Sequence, residues 1–216
     1  MKDGLNSLSV RSTAERIMSK VRVQGRGNGV FTPKDFLGLG SRAAIDRALS
    51  RLVASGTLRR LGRGLYDFPR QSGILKGAAP ARLDAVVEAI GRRDKIQVMP
   101  NGIMFANHLG LTNAVPAKSS YISSGKTKTV QVGNRNVYFQ HVSQKIINWA
   151  DRPGGQFVAA VLWLDKAIVT TPETIALMRM KLGDDIKQDL IKDVNLLPAW
   201  MAAIARQVCS DITVAV

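Results

Sequence analysis

Residues 30–70 read VFTPKDFLGLGSRAAIDRALSRLVASGTLRRLGRGLYDFPR, and the spacing of apolar, capping and glycine residues here decides the fold of the N-terminal part. Thr32 stands where an N-cap belongs, Pro33 takes the first helical position, and Asp35 favours the positive end of a helix. Phe36, Leu37 and Leu39 are expected to face inward before Gly38 and Gly40 break the segment. Ser41 then caps a second helix over 42–54, in which Ile45, Ala48, Leu49, Leu52 and Val53 fall on one side at about 100° per residue. Its opposite side carries Ala43, Asp46, Arg47, Ser50 and Arg51, with Arg42 at the edge. After Gly56, residues 57–61 and 65–68 read as strands joined by Gly62, Arg63 and Gly64. Helix, tight turn, helix and hairpin form the order of a winged helix-turn-helix.

That order points to double-stranded DNA. A helix with small residues near its start enters a major groove about 12 Å wide, where Arg bonds guanine bidentately and Ser bonds bases or phosphates. Asp46 either accepts from cytosine or pairs with Arg42 or Arg47. Arg59, Arg60 and Arg63, with Gly64 at the tip, form a wing that lays cations along phosphates and carries no sequence information. The alternative is a solvated charged face on a core helix.

The rest of the chain fits this reading. Lys and Arg outnumber Asp and Glu 31 to 16 in 216 residues, giving a net charge of +15 and a pI near 10.5, so the expected partner is polyanionic. Residues 1–70 carry 14 cations against 5 anions, 71–152 carry 11 against 4, and 153–216 carry 6 against 7, or +9, +7 and −1. The basic parts are expected to face nucleic acid and the neutral third to pack against protein. Two domains are expected, 1–72 and 73–216, divided in the Gly/Ala-rich segment 71–80.

Upstream, Ser12 and Glu15 have capping-box spacing before Ile17, Met18 and Val21, and a glycine-rich turn follows at 25–29. Downstream come an amphipathic helix over 81–90 and the cluster Arg92, Arg93, Asp94 and Lys95, read as a solvated helix end. Next are a short strand at 96–99, a helix at 104–109 and strands at 120–124, 127–132 and 137–142, the last two joined at 133–136. Helices follow over 144–150, 156–166 and 172–182, then from 184 and over 199–208. The fold class is therefore α+β: a winged helix-turn-helix, then a mixed domain with a small antiparallel sheet and a helical C-terminal part.

A search for chemistry finds no catalytic, metal or cofactor site. His108 and His141 belong to no metalloenzyme pattern, and Cys209 has no base near it in sequence. Asp184, Asp185, Asp189 and Asp193 are spaced as a solvated helix face, and Trp163, Leu164, Met178 and Met180 read as core. Gly125, Lys126 and Thr127 imitate the end of a phosphate loop, but Ser120 stands where that loop needs glycine, and a strand follows. The chain is not expected to be an enzyme. The N-terminal segment lacks a signal-like apolar core and no run approaches a membrane span, so a cytoplasmic location is expected.

Two stretches resemble the AbiEi family, antitoxins of bacterial type IV toxin-antitoxin systems that act in abortive phage infection. The first comprises Phe31 to Phe36, Ser41 and Arg42, residues 48–52 and residues 56–66; the second comprises residues 107–112 with Val115 and Pro116 and the strands that follow. The resemblance implies a transcriptional autorepressor that binds the operator of its own operon and neutralises a cognate toxin, commonly nucleotidyltransferase-like. The alternatives are a protein-binding antitoxin that sequesters the toxin through its C-terminal part, and a winged-helix repressor without a toxin. RNA binding is a weaker reading, since aromatic residues make up only 6% and form no RNP-like run.

Overall fold

A computed structural model of the protein describes residues 11–73 and 77–211. The chain divides into two compact units, Met1–Lys95 and Ile96–Val216.

In the first unit, α1 (Thr13–Gln24) starts at a reciprocal cap: Glu15 donates its N–H to the Ser12 hydroxyl at 3.3 Å, and its carboxylate accepts the Ser12 N–H at 2.7 Å. The Ser12 N–H and hydroxyl, both donating to this carboxylate, hold the Glu15 carboxyl below its ordinary range. Ile17, Met18 and Val21 are buried as expected, and the helix stops at Gly25. There follow β1 (Val30–Phe31), a 3-10 helix (Pro33–Leu39), α2 (Arg42–Ala54), β2 (Arg59–Gly62) and β3 (Leu65–Asp67). The strands form an antiparallel sheet in the order β1-β3-β2, an arrangement compatible with a winged helix-turn-helix. Phe36, Ile45, Leu49 and Leu58 fill the core between α1, α2 and the sheet.

Leu37 departs from expectation and lies half exposed. A 3-10 helix has three residues per turn, so Pro33, Phe36 and Leu39 share the inner side and Leu37 turns out. Thr32 also works differently: its N–H and hydroxyl donate to the Asp35 carboxylate at 2.7 and 3.1 Å, so Asp35 supplies the cap.

Part of the expected linker is a short ladder between β4 (Gln71–Ser72) and β5 (Gly77–Ala78); residues 74–76 of that linker lie outside the described residues. The first unit then continues through α3 (Leu83–Asp94), which packs on β1 and β3 through buried Val86, Val87, Ala89 and Ile90. The division therefore falls after Lys95 and not at 72. Long-range bonds explain this, since Arg92 donates to the Val30 carbonyl at 2.9 Å and Lys34 to the Arg93 carbonyl.

The second unit contains β6 (Val98–Pro100), α4 (Ile103–His108), β7 (Ser119–Ser123), β8 (Lys128–Val132) and β9 (Arg135–His141), in sheet order β6-β7-β9-β8. The β6–β7 and β8–β9 pairs are antiparallel as expected, while β7 and β9 run parallel, because β8 folds back onto the far side of β9 and occupies the edge. The β8–β9 turn needs only Gly133 and Asn134, with Gly133 at φ 57. Helices α5 (Gln144–Ile147), α6 (Gly155–Trp163), α7 (Lys166–Val169), α8 (Pro172–Lys181), α9 (Asp184–Lys192) and α10 (Ala199–Val208) follow. Asp165 caps α7, splitting off the end of the helix expected over 156–166. Trp149, Phe157, Met178 and Leu190 lie in the core, whereas Met180 is exposed.

Asp189 and Asp193 are not a solvated face. Arg152 is held by Asp189 at 2.6 Å and Asp193 at 2.7 Å, with its guanidinium 3.9 Å from the Trp149 ring centre. Burial raises the Asp189 pKa, but the Arg152 bonds, the Gly154 N–H and the Arg152 and Lys192 charges outweigh it, leaving the carboxyl below its ordinary value. A depressed carboxyl adds stability above its unfolded pKa and loses it as the pH falls through the folded value. The destabilisation of Arg152→Ala, followed by urea unfolding, should therefore be largest at neutral pH and shrink below pH 3.8, the ordinary value for this carboxyl. Close packing supplies a second test. A Cβ on Gly102 would sit 2.0 Å from the Ala159 carbonyl oxygen, whereas one on Gly38 meets nothing within 4 Å. Gly102→Ala should lose about 1–3 kcal/mol in the same assay and Gly38→Ala less than about 0.5 kcal/mol.

Candidate nucleic-acid interface

Helix α2 places its side chains by simple periodicity. Ile45, Ala48 and Leu49 are buried, and this turns Arg42, Ala43, Arg47, Ser50 and Arg51 outward, all exposed. Ser41 starts the helix by accepting the Ala44 N–H at 3.3 Å. Asp46 takes the pairing option, accepting from Arg42 Nε at 2.8 Å across one turn. Both partners are about half exposed (58% and 47%), so the pair adds little stability. Its effect is local: it neutralises the one carboxylate on this face. Arg47 and Arg51 make no ion pair among the described residues, which leaves two cations one turn apart beside the small side chains of Ala43 and Ser50.

The wing divides its arginines. Arg59 and Asp67 sit opposite each other in register, and the guanidinium grips the carboxylate with Nε at 3.0 Å and Nη2 at 2.6 Å. Nη2 also donates to the Ala79 carbonyl at 2.9 Å. Asp67 is 1% exposed, so its charge requires this partner. Arg59, expected to face phosphates, instead locks β2 to β3. Arg60 and Arg63 are exposed, with Arg60 Nε only weakly engaged on the Gly62 carbonyl at 3.4 Å. A register irregularity between Arg60 and Gly62 sets the tip, and Gly64 takes φ 66. The tip is also pinned, since Arg93 donates Nη1 to the Arg63 carbonyl at 2.7 Å.

Arg93 is thus a positioning residue that the sequence read as part of a solvated helix end; nothing local in its sequence signals a bond reaching 30 residues back. Arg59 is a different matter. It and Asp67 are equidistant from Arg63, so the hairpin symmetry itself announces the pair.

Elsewhere, His108 and His141 are exposed, with His141 Nδ1 3.0 Å from the Gly125 carbonyl oxygen. Thr127 precedes β8 and its hydroxyl accepts the His141 N–H, so the segment after Gly125 is a strand and not the helix of a phosphate loop. Burial pushes the Cys209 thiol up to about 11, which keeps it protonated at neutral pH. Among the described residues no helix is long and apolar enough to cross a membrane.

The chain belongs to DUF6088, a family of unknown function. The DUF6088 match covers residues 16–184 and so contains α2, the hairpin, α3 and the whole four-stranded sheet. No curated protein matches the chain.

The division of the wing arginines gives a test. Arg59→Ala should lower the stability of this DUF6088 protein by about 2 kcal/mol, less than for a fully buried pair because Arg59 is partly exposed. Arg60→Ala should leave it within about 0.5 kcal/mol by urea denaturation.

Proposed function

We propose that this protein is a double-stranded DNA-binding transcriptional autorepressor and, following its resemblance to AbiEi proteins, the antitoxin of a toxin-antitoxin system. One observation carries the DNA reading. The outward face of α2 presents Arg47 and Arg51 free of carboxylates beside Ala43 and Ser50, and exposed Arg60 and Arg63 stand on the hairpin of the same unit. Arg47, Ser50 and Arg51 read base edges in the major groove while Ala43 allows close approach. Arg60 and Arg63 hold phosphates and set the register. Arg42 engages a phosphate at the groove edge and keeps Asp46 neutralised. Arg59 acts indirectly, by holding the hairpin together. Binding at the operator of its own operon would shut off synthesis of the antitoxin and of a toxin encoded beside it.

A second reading, sequestration of the toxin by direct contact, has one feature in its favour. The second unit has an open cleft of about 440 Å³ lined by Met99, Met104, Phe105 and Ala159 with His108 and Gln156, and Met104 is exposed. Co-purification of the adjacent gene's product with the full chain, lost on Met104→Asp, would favour that reading.

The DNA reading is tested by gel shift on the protein's own promoter against random duplex. Arg47→Ala should lose roughly 5- to 150-fold of the preference for the operator. Arg63→Ala should weaken both duplexes alike and reduce the slope of log affinity against log salt by about 1. An Arg47→Ala protein with unchanged preference would remove α2 from base reading.

A further inference from the structure

The second unit has a charge pattern of its own. Residues 96–150 contain Lys118, Lys126, Lys128, Arg135 and Lys145 and not one Asp or Glu. Every carboxylate side chain of this unit lies between Asp151 and Asp211, in the helical part. The acid-free segment holds the whole sheet together with α4 and α5.

Strand register shows what the sheet presents. Thr129 lies beside Tyr138 and Gln131 beside Asn136, while Ser120 of β7 flanks Tyr138 on the other side. By alternation these side chains share one face with Gln140. The same face carries Met99 and Ile122 on β6 and β7, but those two are buried in the helical core. The helices therefore cover the β6–β7 half and leave the β8–β9 half open, with Thr129, Gln131, Asn136, Tyr138 and Gln140 all exposed. Cations stand at both ends of this open strip. Lys118, two residues before Ser120, and Arg135, which pairs with Val132 on the opposite side of the pleat, flank the end where Ser119 pairs with Val137; Lys126 precedes Thr127, whose hydroxyl accepts the His141 N–H at the other. Lys118, Lys126 and Arg135 are exposed and have no carboxylate partner among the described residues. The six-residue step from Arg135 to His141 separates the two ends by about 20 Å.

We infer that the open face of the β8–β9 hairpin binds single-stranded nucleic acid, with Tyr138 stacking on a base, Gln131, Asn136 and Gln140 bonding base edges, and Lys118 and Lys126 at the two ends holding the backbone. An aromatic side chain among neutral hydrogen-bonding side chains, bounded by cations, matches an unpaired strand, whose bases expose their faces and pairing edges. A duplex offers no such base faces. An acid-free surface favours a polyanion over a protein partner of mixed charge. This site is separate from α2 and stands or falls independently of the duplex reading.

The experiment uses the full chain and 12-nucleotide labelled RNA and DNA oligomers of mixed sequence, followed by fluorescence anisotropy near physiological salt. Tyr138→Ala should weaken binding of at least one oligomer about tenfold, and Tyr138→Phe, which keeps the ring, should bind within about twofold of the parent. Gln131→Asp, which places a carboxylate on the acid-free face, should also lose about tenfold, and it serves as the test if Tyr138→Ala misfolds by circular dichroism. Arg47→Ala should leave oligomer binding unchanged while losing operator preference. Oligomer binding unaltered in both Tyr138→Ala and Gln131→Asp, or lost in Arg47→Ala alone, would overturn the assignment. A protein partner captured through this face, with no oligomer bound, would overturn it equally.

Discussion

The carboxylate of Asp35 ties the first unit together. It accepts the Thr32 N–H and hydroxyl, lies 3.5 Å from Arg92 of α3, and the carbonyl of the same residue accepts Lys20 of α1 at 2.6 Å. Exposed ion pairs are weak, and the half-exposed Arg92 contact adds little alone. Charge-assisted bonds to a polar group in the fully buried Thr32 are stronger and directional. They fix the corner where β1 turns into the 3-10 helix, and β1 in turn pairs with β3, the return strand of the hairpin. The placement of the wing relative to α2 therefore depends on a turn that belongs to neither.

The same economy governs the other cations. Lys20, Arg26, Lys34, Arg59, Arg92 and Arg93 each donate to a backbone carbonyl or a carboxylate of the first unit. Arg26 also stacks its guanidinium 4.1 Å from the Phe68 ring centre. Bonds to neutral carbonyls leave the formal charge of +15 unchanged but fix where these cations sit. The free cations on α2 and the hairpin are few, but they sit on elements that the others hold rigid, and a contact placed in advance loses less entropy on binding.

Local order carried most of what the sequence revealed. The Ser12–Glu15 cap, the burial of Ile45, Ala48 and Leu49, the Thr171-capped α8 and the β8–β9 hairpin all follow from neighbours within a few residues, where capping and periodicity act. Leu37 failed because a period of 3.6 was assumed where the chain takes three residues per turn. The unit boundary, the Arg93 anchor and the Arg152–Asp189 clamp failed for a different reason. Each depends on residues brought together across 30 or more positions, and a charged residue near a helix end has the same local signature whether it meets water or a carbonyl. At the candidate interface, the face of α2 was legible as a periodic pattern. The division of the wing arginines was legible only through the symmetry of the hairpin about Arg63.

The near-zero charge of residues 153–216 also takes on a different meaning once the side chains are placed. It does not reflect an absence of charge. Asp189 and Asp193 neutralise Arg152, Asp211 holds the nearly buried Lys187 at 2.6 Å, and Asp165 caps a helix. Several of these carboxylates are used within the helical part, and the first carboxylate after the sheet is Asp151. Charge in the second unit is therefore segregated along the chain: balanced through internal pairs in the helices after residue 150 and unbalanced on the sheet. Core packing explains the first half of that arrangement, because partly buried charges need partners. It gives no reason for the second, since exposed strand positions tolerate Glu and Asp as readily as Gln and Asn once the partner is water. On the β8–β9 half that the helices leave open, the acid-free face therefore produces a positive field, the property on which the proposed strand site rests.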